Sequence, residues 1–269
     1  MTRLSHRMQH IQSELSSKWC GHPTVVLEVV PSTNRWLKEE WALGRIDHGT
    51  AVWADGQTDG RGRLGRQWDS PSGENIYTSV LVTPPPTRVG GIVSLLAGVA
   101  VVQAVRAATG LDARLKWPND VLIYGKKFSG ILVEAGMYPR PWVVIGIGIN
   151  VGGTVDQEEA HRVTLERVLD HPLSREDLWI TLIERLEDVY EAWLACGDQW
   201  VVQAWTAANA TLGKQVRVER PGHRPWVGLA ERIDDDGGLW VTNPERREKV
   251  ISGDVRIRAA DGSYAPDSS

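Results

Sequence analysis

Between Asn75 and Thr83 the side chains alternate: Ile76, Thr78, Val80 and Val82 fall on one side, Tyr77, Ser79 and Leu81 on the other. A period of two marks a β-strand. Shorter apolar runs predict further strands at 24–30, 50–54, 113–117, 121–124, 128–136 and 142–151. YGKK (124–127) reads as the hairpin turn between two of them. Helical spacing and end signals pick out a polar helix at 3–18 and a second at 31–44, with Ser32 or Thr33 near its N-cap and Gly44 at its end. An apolar helix runs over 90–108, closed by Gly110. Ser174 and Asp177 make a capping-box-like start for 175–195, Gly197 ends it, and 198–208 follows as a helix. Residues 55–75 form a long loop rich in Gly, Asp and Arg.

From about residue 209 the rhythm changes. Five short strands (213–220, 226–234, 238–243, 247–253, 254–258) follow at regular spacing, with DDDGG as the obvious turn, and predict a small β-barrel. The expected organisation is an N-terminal helical segment (1–23), a mixed α+β body (24–208), the barrel (209–260) and a frayed polar tail (261–269).

Composition narrows the function classes. The 269 residues are 42% hydrophobic and 24% charged, with a net charge of −4. That balance argues against a general grip on nucleic acid. Cys20 and Cys196 show no disulfide or zinc spacing, which fits a reducing cytoplasm. The N-terminus lacks the apolar core of a signal peptide, and the most apolar span, VGGIVSLLAGVAVVQAV, is broken by Gly, Ser and Gln. It reads as a buried helix, so no membrane partner is expected. Thirteen Trp against one Phe suggests that Trp stands where Phe would serve.

The candidate chemistry centres on GRGRLGR (60–66). Its glycines fit G-x-G-x-x-G, but Pro71 and turn residues follow where a dinucleotide fold needs a helix. Asp55, Asp59 and Asp69 flank the arginines and dilute a nucleic-acid patch. Glycines let the backbone approach a ligand, and guanidiniums grip carboxylate or phosphate. The loop therefore suits a small molecule carrying such an anion.

STN (32–34), the run 54–82 around GRGRLGR, KWPNDVLIYGKKFSGILVEA (116–135) and VIGIGINV (144–151), in that order, resemble the motif series of biotin–protein ligases. The resemblance implies an α+β catalytic domain related to class II aminoacyl-tRNA synthetases, with a small SH3-like C-terminal barrel. It also implies two steps: biotin and ATP give biotinyl-AMP, and a lysine of a biotin carboxyl carrier protein then takes the biotinyl group.

By that resemblance Ser32, Thr33, Asn34 and Gln57 bind biotin, although helix capping would also explain Ser32 and Thr33. Arg61, Gly62 and Arg63 lie against biotin and the adenylate phosphate. Arg66, Trp68, Lys116, Asn119, Asp120, Asn150 and Arg258 serve ATP, Trp68 as a stacking wall and Asn150 facing the adenine. Asp120 is the expected Mg²⁺ ligand. Lys127 joins the two reacting anions and, with Arg63, is the expected catalytic group, while Lys126 points away. Gly130, Gly146 and Gly148 are expected to let the ligand come close.

Only 23 residues precede the first strand, so the expectation is a ligase without an operator-binding domain and without specific DNA binding. Monomer and homodimer stay open. The competing functions are a lipoate or octanoate ligase or transferase of the same fold and a non-catalytic biotinyl-adenylate-binding regulator.

Overall fold

In the computed structural model, which describes residues 3–85, 88, 90–138, 140–154, 160–251 and 256–264, two sheets carry the chain. The elements in order are α1 (Arg3–Glu14), β1 (Thr24–Val30), α2 (Thr33–Ala42), β2 (Ala51–Gln57), β3 (Ile76–Val82), α3 (Ile92–Thr109), β4 (Arg114–Lys116), β5 (Asp120–Ile123), β6 (Lys126–Gly136) and β7 (Trp142–Ile149). There follow α4 (Leu165–Leu169), α5 (Arg175–Cys196), α6 (Asp198–Ala207), β8 (Gln215–Glu219), β9 (Trp226–Ile233), β10 (Leu239–Asn243), β11 (Arg246–Val250) and β12 (Arg256–Ala259).

The larger sheet has seven strands in the order β1-β2-β3-β7-β6-β5-β4. Only β1 and β2 run parallel, joined by α2 as the crossover a parallel pair requires. The alternation of β3 sorts its side chains onto two covered faces. Ile76, Val80 and Val82 pack in the main core with α3 and α5, while Leu81 joins Leu37 and Trp41 of α2 beneath the other face. Helix α3 is apolar all round because it is buried, and Gly110 closes it in the left-handed region at φ 71°.

The second sheet is antiparallel with order β11-β10-β9-β8-β12, an SH3-like arrangement. Its inner residues, among them Val216, Ala230 and Val241, belong to the same core as the helical layer. Trp117 fastens the two sheets: its indole N–H donates to the Gly237 carbonyl at 2.9 Å, and its backbone N–H to Thr211 at 3.0 Å.

Three local expectations need revision, and one helix was not expected. Helix α1 stops at Glu14 rather than at 18, because α5 takes the next backbone donors: Glu184 accepts from Ser16, and Glu187 from Lys18, Trp19 and Cys20. Helix α4, capped by Thr164, is one turn long and too short to show a period. Asp55 does not dilute the loop arginines; its carboxylate accepts from buried Arg7 at 3.1 Å and from Arg175 at 3.4 Å. That cluster anchors the end of β2, where the Gly/Arg loop begins. Trp is not interchangeable with Phe in several places, since Trp179 donates to Thr78 at 2.9 Å and Trp193 to Asp198 at 2.6 Å. The end of the fourth expected barrel strand (252–253), the start of the last (254–255) and the end of the tail (265–269) lie outside the described residues.

Candidate active site

A cleft of about 1080 Å³, including its mouth, opens over the middle of the larger sheet. Strand order sets its polarity. At the β3–β7 side lie neutral hydrogen-bonding groups from α2. At the β5–β4 side lie cations and a single carboxylate. Lys127, on β6, stands between them.

The neutral end is one connected network. Ser79 of β3 donates to the Thr33 hydroxyl at 2.7 Å or the Asn34 side-chain oxygen at 2.6 Å. Asn34 in turn donates to Glu134 at 2.8 Å, and Glu134 pairs with Lys38 at 2.5 Å. Gln57 accepts the Thr33 backbone N–H at 2.9 Å and donates to Ser70 at 3.0 Å. Gln57 thus satisfies an orphan donor at the start of α2, whereas Ser32, although it occupies the N-cap, makes no side-chain cap bond. The capping explanation therefore fails for Ser32, which lines the cleft. Ser79 and Glu134 were missed from sequence; Ser79 gave a signal as a polar side chain on the Leu81 side of β3.

The segment 60–68, which lines the cleft, is the candidate lid. Arg61 and Gln67 form an isolated antiparallel bridge, Gly62 donates to the Arg66 carbonyl at 2.7 Å, and Trp68 donates to that of Gly60 at 2.8 Å. GRGRLGR is therefore a small hairpin with Leu64 and Gly65 at positive φ at its tip. Arg61, Arg63 and Arg66 all line the cleft, and Arg63 reaches across to Asn119 at 3.2 Å. Arg61 also pairs with Asp59 at 2.8 Å on the exposed rim.

Trp68 corrects the reading of the glycines. A Cβ on Gly148 would lie 2.6 Å from its ring, and one on Gly130 2.8 Å. A Cβ on Gly146 would strike the Asn34 amide oxygen at 2.2 Å. These glycines make room first for the protein's own Trp68 and Asn34, which are laid flat against the sheet.

Lys127 owes its place to a turn and a bulge. Tyr124 and Gly125 both have positive φ (49° and 73°), as a two-residue hairpin demands. The β5–β6 register then slips between Val121 and Leu122, so that Leu122 faces Lys127 but Val121 faces Ser129. The extra residue puts Lys127 on the side of Gly130 rather than of Ser129, and its ammonium would stand 3.0 Å from a Gly130 Cβ. Lys126 is exposed, as expected.

The cationic end is tightly coupled. Asp120 pairs with Lys127, and with Lys116 at 3.5 Å. Burial would raise the Asp120 carboxyl, but the Lys127 and Lys116 ammoniums outweigh it and hold it well below the usual carboxylate range. Burial lowers Lys116 to about 8, with Asp120 opposing and Lys127 and Arg258 reinforcing the shift. Arg258 of β12 lines this end, together with His161, Arg162 and Tyr264, which no sequence signal marked.

Biotin/lipoate A/B protein ligase family features match residues 26–150, and the biotin protein ligase C-terminal domain matches 211–258. The chain is 33% identical over 254 residues to the bifunctional ligase/repressor BirA of Bacillus spizizenii, spanning 92% of this chain and 78% of that protein. The chain belongs to the biotin protein ligase family. It is 35% identical over 229 residues to the biotin–[acetyl-CoA-carboxylase] ligase of Mycobacterium tuberculosis, spanning 83% of this chain and 85% of that one. A biotin protein ligase from Aquifex aeolicus, solved with biotin and ATP, matches with a TM-score of 0.78 at 29% identity over 88% of this chain and 99% of that chain.

Two of the expected site residues are also engaged by the protein itself. Asn150 is buried just past β7, outside the cleft lining, where its backbone N–H donates to the Phe128 carbonyl and prolongs the β6–β7 pairing, and its carbonyl accepts from Leu165. Asp120 fits a protein-held Mg²⁺ poorly. It is the one carboxylate lining the cleft, its oxygens are taken by two ammoniums and the Tyr264 phenol, and no cluster of three His, Cys, Asp or Glu suited to a metal occurs among the described residues. The charge that balances it is already supplied by lysine.

The lowered Lys116 predicts a pH effect. An ammonium attracts phosphate and a neutral amine does not, so ATP binding above about pH 8 requires proton uptake. The KM for ATP should be level near pH 7.5 and rise above 8, approaching about tenfold per pH unit, while Lys116→Arg flattens the rise. A wild-type KM that stays level to pH 9.5 shows that Lys116 takes no part in binding.

Proposed function

We propose that this protein activates biotin with ATP as biotinyl-5′-AMP and transfers the biotinyl group to a lysine of a biotin carboxyl carrier protein. The observation that carries the reading is the position of Lys127, between a neutral network suited to a ureido ring and a cationic pocket suited to phosphates.

Ser32, Thr33 and Asn34, with Gln57 behind them, hold biotin so that its carboxylate meets the Lys127 ammonium. Trp68 offers its face to the adenine, and Lys116, Asn119, Arg66 and Arg258 take the phosphates. A carboxylate oxygen bonds to the α-phosphorus as the bond to the bridging oxygen of the β-phosphate breaks, and pyrophosphate leaves. Lys127 neutralises both anions as they approach, and positioning and charge stabilisation supply most of the catalysis. Arg63 and the rest of the lid exclude water from the mixed anhydride. The acceptor lysine, as the free amine, then attacks the biotinyl carbonyl, forming the amide and releasing AMP and a proton. Magnesium would enter with the nucleotide and would add charge neutralisation on its phosphates.

The reading places the protein in the cytoplasm. Helix α3 is the one described helix long and apolar enough to cross a membrane, and it is mostly buried in the core. With a net charge of −4, this chain is proposed not to bind an operator specifically.

Against a lipoate or octanoate ligase stands the neutral network, whose hydroxyl and amide groups suit a ureido ring and offer nothing to a simple acyl chain. Pyrophosphate exchange should depend on biotin and proceed about 100-fold slower with lipoate or octanoate. Equal turnover of either acid overturns the substrate assignment. Exchange without transfer to any carrier domain would favour a regulator that holds the adenylate.

A further inference from the structure

Sequence composition predicts that residues 261–269 fray. The described part of this tail turns back instead. Gly262 donates to the Ala259 carbonyl at 2.9 Å, Ala259 donates to that of Ser263 at 3.0 Å, and Tyr264 enters the cleft. There its hydroxyl donates to Asp120 Oδ2. Its ring centroid lies 4.3 Å from Lys116 Nζ and 5.4 Å from the Arg258 guanidinium carbon, and His161 packs against it at 4.6 Å. The phenol is pushed well above its ordinary value, by burial and then by the Asp120 charge, so it remains a donor.

These contacts make Tyr264 a surrogate for an anion. An aromatic face is the negative end of a quadrupole and attracts cations as a phosphate does, though more weakly. Tyr264 covers Lys116 and Arg258, and Lys116 is only 5% exposed. A triphosphate chain that uses both cations needs the space the ring fills. The phenol also gives Asp120 a donor, so the carboxylate is satisfied while no phosphate competes for the lysines.

We propose that Tyr264 is an internal occupant of the phosphate end of this site and leaves it when the nucleotide binds. The proposal rests on the adenylation reading only for the identity of the displacing ligand, a polyphosphate chain. Affinity for that chain is reduced by the fraction of molecules in which Tyr264 is in place. Biotin, whose expected contacts lie at the other end of the cleft, is unaffected by the exchange.

The test is calorimetric titration with inorganic tripolyphosphate, beside biotin-dependent pyrophosphate exchange. Tyr264→Ala should bind tripolyphosphate about 5- to 30-fold more tightly than wild type, the scale of a single cation–π contact. Tyr264→Phe, which keeps the ring and loses the hydroxyl, should gain about two- to fivefold, and its thermal melt serves as the folding control. The KM for ATP in exchange should fall in the same order, with biotin affinity held within about twofold. Unchanged or weaker tripolyphosphate binding in both variants overturns the proposal, because Tyr264 is then a bystander or a clamp that adds to the subsite. Absence of exchange in wild type, with the tripolyphosphate series as expected, overturns adenylation and leaves the occupied subsite standing.

Discussion

Replacing Lys127 with alanine lowers the rate of biotinyl-AMP formation by about 100-fold or more, the scale on which a preorganised transition-state donor acts. The neighbouring Lys126→Ala stays within about threefold, as expected for an exposed side chain away from the site. The contrast comes from one bulge. Lys127 is half-buried, pairs with Asp120 and lies over Gly130, with its ammonium 5.2 Å from the Trp68 ring. Lys126 is exposed at the start of β6. Rapid-quench measurement of adenylate at saturating biotin and ATP separates chemistry from binding, and thermal melts confirm that both variants fold. Calorimetry should show weaker biotin binding in Lys127→Ala, because the carboxylate loses its counter-charge. A Lys126 variant that is crippled beside a healthy Lys127 variant would mean that the β5–β6 register is wrong.

Loosening the lid is the second large effect. Arg63→Gly removes the bond to Asn119, which joins the lid to the opposite wall, and adds a glycine to a segment that already has three. Ordering such a chain costs roughly 1–2 kcal/mol per residue, so each fixed contact that closes it matters. Loss of a charge-assisted bond should speed escape of biotinyl-AMP by about 10- to 100-fold. Released intermediate hydrolyses or acylates lysines on bystander proteins, which streptavidin blotting detects. Trypsin reports the closure directly. Cleavage after Arg61, Arg63 or Arg66 should be fast in the free protein and slow with biotinyl-AMP bound, and cleavage after the remaining Arg61 or Arg66 should be fast again in Arg63→Gly with the same ligand. If ligand gives no protection, and Arg63→Gly retains its intermediate as well as wild type, the segment is not a lid.

Periodicity in the sequence was enough to determine most of the elements, α4 excepted. The alternation of 76–82, the apolar run of α3 with Gly110 at its end, and the Ser174 start of α5 are local signals, and local backbone preference decides them. The motif order also identified most of the cleft, because loops rich in Gly and Arg and the KWPND turn carry their chemistry in adjacent residues.

What tertiary structure decided was which groups face one another. Gln57 is 24 residues from Thr33 yet caps its helix, because β2 lies beside β1 and brings the two together. Glycines 130 and 148 have room in front of them in the sequence and a tryptophan in the fold. Asn150 sits one residue past β7, and its backbone prolongs the β6–β7 pairing. Asp120 looked like a metal ligand until Lys116, Lys127 and Tyr264, one of them 144 residues away, converged on it. Pairings at that separation depend on strand order and on a one-residue bulge. Neither leaves a periodic trace, since a register shift changes which face a side chain takes without changing any residue's own preference.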